Sequence, residues 1–154
     1  MKRWAWIGVL AIAGTASAQS LEETRDWLLA QAAVNPPELK YSFDADEFIS
    51  EVSFGAGAGS FGARPVRKAI PLARVTRIDW VRTGRYLSYS LACDQPCATV
   101  AGQRGPKQDV FLFEIYGPTT PELVARVNKA LAHLVRLHGG EATLVEKKAP
   151  AEPF

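Results

Sequence analysis

The feature that most narrows what this chain can fold into is one strongly amphipathic helix placed after a run of strand-like segments. Thr120 stands as an N-cap, Pro121 occupies the first helical position and Glu122 suits the positive end of the helix dipole. Leu123, Val127, Ala130, Leu131, Leu134 and Leu137 then recur as one apolar stripe, and Gly139-Gly140 closes the helix as a left-handed cap. Such a stripe must lie on another apolar surface. A sheet is what the preceding residues supply.

The strand pattern runs through the middle of the chain. Phe48 to Phe54 alternates, with Phe48, Ser50, Val52 and Phe54 on one side. Gly55 to Gly62 is a glycine-rich loop. Val66 to Leu72 and Val75 to Val81 read as two further strands, Pro71 favouring an edge or a bulge. In Arg85 to Cys93, Leu87, Tyr89 and Leu91 point one way and Tyr86, Ser88 and Ser90 the other. Cys97 to Ala101 is a short strand and Gly102 to Lys107 a turn. Val110 to Tyr116 is apolar enough to be buried on both faces or nearly so.

Ahead of these strands, Ser20-Leu21-Glu22-Glu23 forms a capping box, and Leu21, Trp27, Leu28, Ala32 and Val34 recur at helical spacing. Asn35-Pro36-Pro37 ends that helix, because proline lacks the amide hydrogen. The chain from Glu141 on is polar and proline-containing and reads as a disordered tail, 141–154. The expected class is α+β: a strongly curved antiparallel sheet or partly open barrel, closed by the C-terminal amphipathic helix, with a short N-terminal helix.

The compartment is written at the N-terminus. Lys2 and Arg3 precede an apolar run from Trp4 to Gly14, and Ala16-Ser17-Ala18 offers an A-x-A cleavage site before Gln19. These are the three parts of a secretory signal peptide, expected to span 1–18, with the folded domain at 19–140. The run is too short for a stable membrane anchor, and no later run approaches the length of a transmembrane segment. The expected location is periplasmic or secreted. The whole chain holds 18 Lys plus Arg and 16 Asp plus Glu. Lys2 and Arg3 lie in the leader, so the remaining chain is balanced, and net charge gives no warrant for a nucleic-acid partner.

Cys93 and Cys97, the only cysteines, flank the turn-forming triplet Asp94-Gln95-Pro96. In an oxidising compartment they are expected to form a disulfide across a hairpin turn. The spacing is not that of a redox C-x-x-C, and no His follows as haem attachment requires. A C-x-x-x-C pair can also hold Cu(I) through its thiolates, which leaves a metal or thiol-redox role as the alternative.

Other chemistry is thin. His133 and His138 sit about 140° apart around the last helix, so they do not share a face. His133 is expected to be partly exposed and His138 to suit the negative helix end. Gly57-Ala58-Gly59-Ser60-Phe61-Gly62 matches G-x-G-x-x-G, but Pro65 and a strand follow where a nucleotide site needs a helix. Arg64, Arg67 and Lys68 are the candidate anion-binding residues, in a basic stretch continued by Arg74, Arg77, Arg82 and Arg85. Asp79, Glu51 and Glu47 are the acids that would neutralise it across strands. No nucleophile–base motif or metal-ligand motif is present, so no catalytic residue, metal or cofactor is assigned.

The order of elements, the stretch Pro71-Leu72-Ala73-Arg74-Val75-x-x-Ile78 and the closing Val127-Asn128-Lys129-Ala130-Leu131-x-His133-Leu134-x-x-Leu137 resemble secreted bacterial domains of the pleckstrin-homology-like superfold, over about Glu47 to Gly140. The resemblance implies fold and little about activity. The functional expectation is a non-catalytic binding or interaction module. Its partner would be an anionic envelope component or another envelope protein. The alternatives are the metal or thiol-redox protein using Cys93 and Cys97, and an inhibitor of an extracellular enzyme.

Overall fold

A computed structural model describes residues 20–54, 65–105 and 107–150. The leader and the glycine-rich loop, with its G-x-G-x-x-G letters and Arg64, lie outside the described residues.

The first helix, α1 (Leu21–Ala32), starts at the expected capping box. Ser20 Oγ accepts from the Glu23 amide at 3.1 Å, and Glu23 Oε2 accepts from the Ser20 amide at 3.0 Å. Leu28, Ala32 and Thr24 form its buried face, with Leu21 and Trp27 at the margin, whereas Val34 projects into solvent beyond the helix end.

Among the described residues eight strands follow: β1 (Leu39–Asp44), β2 (Glu47–Val52), β3 (Val66–Pro71), β4 (Val75–Arg82), β5 (Tyr86–Cys93), β6 (Thr99–Val100), β7 (Val110–Tyr116) and β8 (Thr143–Glu146). They form two four-stranded sheets, in the orders β1-β2-β3-β6 and β7-β5-β4-β8. The class is α+β as expected, with strands mostly antiparallel and no closed barrel among the described residues, but the strands divide between two sheets and the strong curvature expected of one sheet is not borne out. Pro71 ends β3, and the single 3-10 turn Leu72–Arg74 carries the chain from the first sheet into the second. Two further differences concern strands. β1 precedes the strands read from the sequence, its Leu39, Tyr41 and Phe43 facing inward and Lys40, Ser42 and Asp44 outward. β8 falls within the expected tail and runs parallel to β4.

The sheets meet through aromatic rings. Phe48 on β2 stacks on Phe43 of β1 at 4.4 Å and lies 5.0 and 5.2 Å from Phe111 and Phe113 of β7. Each such ring removes roughly 150–250 Å² from water, which makes this cluster a main source of cohesion between the sheets. Phe54, expected on the same side as Phe48, lies past the strand end and is exposed.

The second helix, α2 (Pro121–Leu137), begins with Thr120 Oγ1 accepting from the Leu123 amide at 3.1 Å. Its buried face is Val124, Val127, Ala130, Leu131, Leu134 and Val135. Leu137 is exposed, so the stripe ends half a turn earlier than its spacing suggests. The C-terminus is a Schellman motif: Gly139, at φ 86°, donates to Arg136 O, and Gly140 donates to Val135 O. Gly140 abuts the 3-10 turn so closely that a Cβ there would stand 2.9 Å from Ala73 O.

Candidate functional site

Sheet registers fix which side chains share the outer face of the second sheet. Reading from β7 across β5 and β4 to β8, one row is Val110, Ala92, Arg77 and Thr143. The next is Leu112, Ser90, Asp79 and Val145, and a third holds Glu114, Ser88 and Val81. Tyr116 and Tyr86 end the face, their ring centroids 6.1 Å apart. The opposite face carries Leu87, Tyr89, Leu91, Phe111 and Phe113, all fully buried. α2 lies on that inner side, where Tyr89 Oη donates to Asn128 Oδ1 at 2.7 Å.

β7 is thus not buried on both faces. Val110, Leu112 and Tyr116 are 41%, 44% and 38% exposed, while Phe111, Phe113 and Ile115 face the core. Glu114 in the outer set is the one sequence signal that could have marked that side as wet. Small Ser88, Ser90 and Ala92 separate this apolar margin from the Arg77–Asp79 pair, where Nε and Oδ1 are 2.6 Å apart.

The outer edge of β7 is closed by side chains rather than by another strand. Asn35 Nδ2 donates to Glu114 O at 2.7 Å, and Asn35 Oδ1 accepts from the Tyr116 amide at 2.8 Å. Tyr41 Oη accepts from the Glu114 amide at 2.9 Å. The carboxamide copies the donor–acceptor pair of a neighbouring strand, so the edge cannot recruit one there. Burial holds the Tyr41 and Tyr89 phenols above the ordinary tyrosine range; for Tyr41 the bond from Glu114 opposes that rise in part.

The basic stretch is dispersed. Arg67 and Lys68 are adjacent on β3 and project to opposite faces of the first sheet, Arg67 across from Glu51 and Lys68 across from Ser50. Arg77 is held by Asp79, two residues on along β4, a pairing within one strand and not across strands as expected. Arg82 donates to Thr119 Oγ1 and O at 3.2 and 3.1 Å and braces the loop ahead of α2. Glu47 pairs in register with Pro71, not with a base.

Cys93 and Cys97 form a disulfide with Cα atoms 6.0 Å apart. It does not span a hairpin: Cys93 ends β5 in the second sheet, and Cys97 leads into β6 in the first. The bond therefore ties the two sheets together. His138 is partly buried rather than simply capping the helix end. Arg25 Nη2 lies 3.0 Å from His138 Nε2, and His138 Nδ1 lies 2.7 Å from Leu134 O. A guanidinium has only donors, so Nε2 accepts and Nδ1 carries the proton. Arg25 also crosses the Phe43 ring and donates to Ala45 O at the β1–β2 turn, which links α1, that turn and α2. His133 is partly exposed. Among the described residues no three His, Cys, Asp or Glu side chains gather to hold a metal, and no helix is long and apolar enough to cross a membrane.

No protein-family model, curated protein or solved structure matches the chain.

Proposed function

We propose that this chain is a non-catalytic binding module of the periplasm or extracellular space, and that the outer face of the β7-β5-β4-β8 sheet is its binding surface. The observation that carries this reading is the uncovered row of Val110, Leu112 and Tyr116 on a strand whose other side is core. Val110 and Leu112 are neighbours on this face, with Tyr116 beyond Glu114, and exposed apolar side chains grouped on one face with a polar rim mark interaction sites on folded proteins. The face is close to neutral, Arg77 being paired with Asp79, which favours another envelope protein over an anionic component.

A photoreactive residue placed at Leu112 or Ser90, compared with one at exposed Arg136, tests the surface in living cells. Discrete adducts from the first two positions and none from the third are expected. No adduct from the sheet face, or the same adducts from Arg136, overturns the assignment. The identity of the adduct decides between an envelope partner and an inhibited enzyme. Thiol titration addresses the metal alternative: a Cu(I) site needs Cys93 and Cys97 as reduced thiols, whereas the binding module has none before reduction.

A further inference from the structure

We propose that the Cys93–Cys97 disulfide is a thiol-exchange site of fixed polarity, in which an incoming thiolate attacks Cys93, Cys97 leaves, and the opened bond releases the segment leading into β6 from the end of β5. The site adjoins the proposed binding face, whose Ala92, Arg77, Thr143 and Val145 line one side of it, but it does not rest on that reading, because its test follows the sulfur chemistry alone.

Three observations support it. The two sulfur-bearing residues differ in access: Cys97 is 1% exposed and belongs to the core with Ala98, whereas Cys93 is partly exposed. Cys93 also lines two surface hollows of about 460 and 390 Å³, which meet at Thr76, Cys93 and Asp94. A thiolate can therefore reach one end of the bond and not the other. Next, Arg74 lines the second hollow, and its positive charge there offsets the Asp94 carboxylate that lines both, whereas Arg77 in the first is already paired with Asp79. Third, the segment leading into β6 has few partners outside the disulfide: Ala98 bridges to Gln108, and β6 itself pairs with β3 at Lys68–Val100 and Ala69–Thr99, with the Ala101 amide donating to Arg67 O. The disulfide ties this segment to the end of β5 in the second sheet.

The exchange balances as follows. The thiolate RS⁻ forms a bond to Cys93 Sγ, the Cys93–Cys97 bond breaks, and its electron pair goes to Cys97 Sγ, which takes a proton from water. A second RS⁻ attacks the R-bearing sulfur of the Cys93 mixed disulfide, the bond to Cys93 Sγ breaks, and RSSR and the Cys93 thiolate are released. Two electrons have then passed from two thiols to the protein. The reductant is a thiolate, supplied by a small-molecule thiol or by the exposed dithiol of an oxidoreductase.

The test uses the intact folded protein. It is exposed separately to glutathione and to a reduced thioredoxin-type protein lacking its resolving cysteine. The reaction is quenched in acid, free thiols are alkylated after denaturation, and the peptides are weighed. The expected product carries the mixed disulfide on Cys93 and the alkyl group on Cys97, in at least about tenfold excess over the reverse. The arm that reacts identifies the source. Equal or reversed labelling overturns the polarity, and exchange that occurs only as fast as global unfolding overturns the site. Arg74→Glu should slow exchange with glutathione several-fold while leaving a neutral thiol unaffected; an equal change for both removes the electrostatic part. On full reduction, the amides of Ala98 and Gln108, which donate to each other's carbonyls beside Cys97, should lose protection from hydrogen exchange while Tyr89 keeps it. Unchanged protection at both amides refutes the release of this segment.

Discussion

Replacing Asn35 by Ala removes a side chain that acts as a missing strand. Asn35 is 9% exposed, and its carboxamide makes two bonds to the β7 backbone, at 2.7 Å to Glu114 O and 2.8 Å from the Tyr116 amide. Each is worth a net of roughly 0.5–1.5 kcal/mol, and a backbone group left without a partner away from water costs about 1–3 kcal/mol more. Water can reach part of this sheet edge once the side chain is gone, so the expected loss for Asn35→Ala is about 2–3 kcal/mol. That is a substantial share of the 5–15 kcal/mol typical of a domain. Asn35→Asp keeps the acceptor for Tyr116 but sets a carboxylate oxygen against the Glu114 carbonyl. At neutral pH it should cost at least as much as Ala. Gln31→Ala, which removes one 3.3 Å bond to Trp27 O on the same helix, serves as the control and should change stability by less than about 0.5 kcal/mol. Urea unfolding with an unchanged slope measures all three. If Asn35→Ala falls within the range of the control, the carboxamide does not hold this edge and the closure of β7 is misassigned.

Leu131 is fully buried at the centre of the α2 face, so Leu131→Ala should cost roughly 2–5 kcal/mol in a denaturant melt. Arg126 is exposed but lies 4.7 Å above the Trp27 ring, and Arg126→Ala should cost only about 0.5–1 kcal/mol; equal small effects would mean that α2 is peripheral. Gly140→Ala places a Cβ 2.9 Å from both Ala73 O and Val135 Cγ1, and a backbone carbonyl gives little, so thermal unfolding should move down by several degrees, against no shift if the helix end is free to move away. The Tyr41 and Tyr89 phenols are raised by burial, so the stability they contribute is complete below the ordinary tyrosine pKa and is lost as pH rises above about 10. Absorbance titration should show these two ionising only as the fold opens, and ionisation of all four tyrosines in one step with the fold intact would contradict their burial.

What the sequence determines by itself is local. Ser20 and Glu23, Thr120 and Pro121, and Gly139-Gly140 set the helix ends, because capping joins groups within a few residues of one another. The alternation of Leu87, Tyr89 and Leu91 with Tyr86, Ser88 and Ser90 assigns the two faces of β5 for the same reason. β1 is as legible in the alternation of Leu39, Tyr41 and Phe43, although the pattern begins immediately after Pro36-Pro37. The proximity of Cys93 and Cys97 also follows from a spacing of four. Which sheet each strand joins is decided elsewhere. Nothing local tells Cys93 that it belongs with β4 and β7 while Thr99, six residues on, belongs with β3. That choice is made by pairing between strands far apart in sequence and by the Phe48, Phe111 and Phe113 rings that press the sheets together. β8 is ordered by the free edge of β4, not by its own four residues. The wet face of β7 is an outcome of the same kind, since seven mostly apolar residues become one-sided only when a single layer is there to cover them.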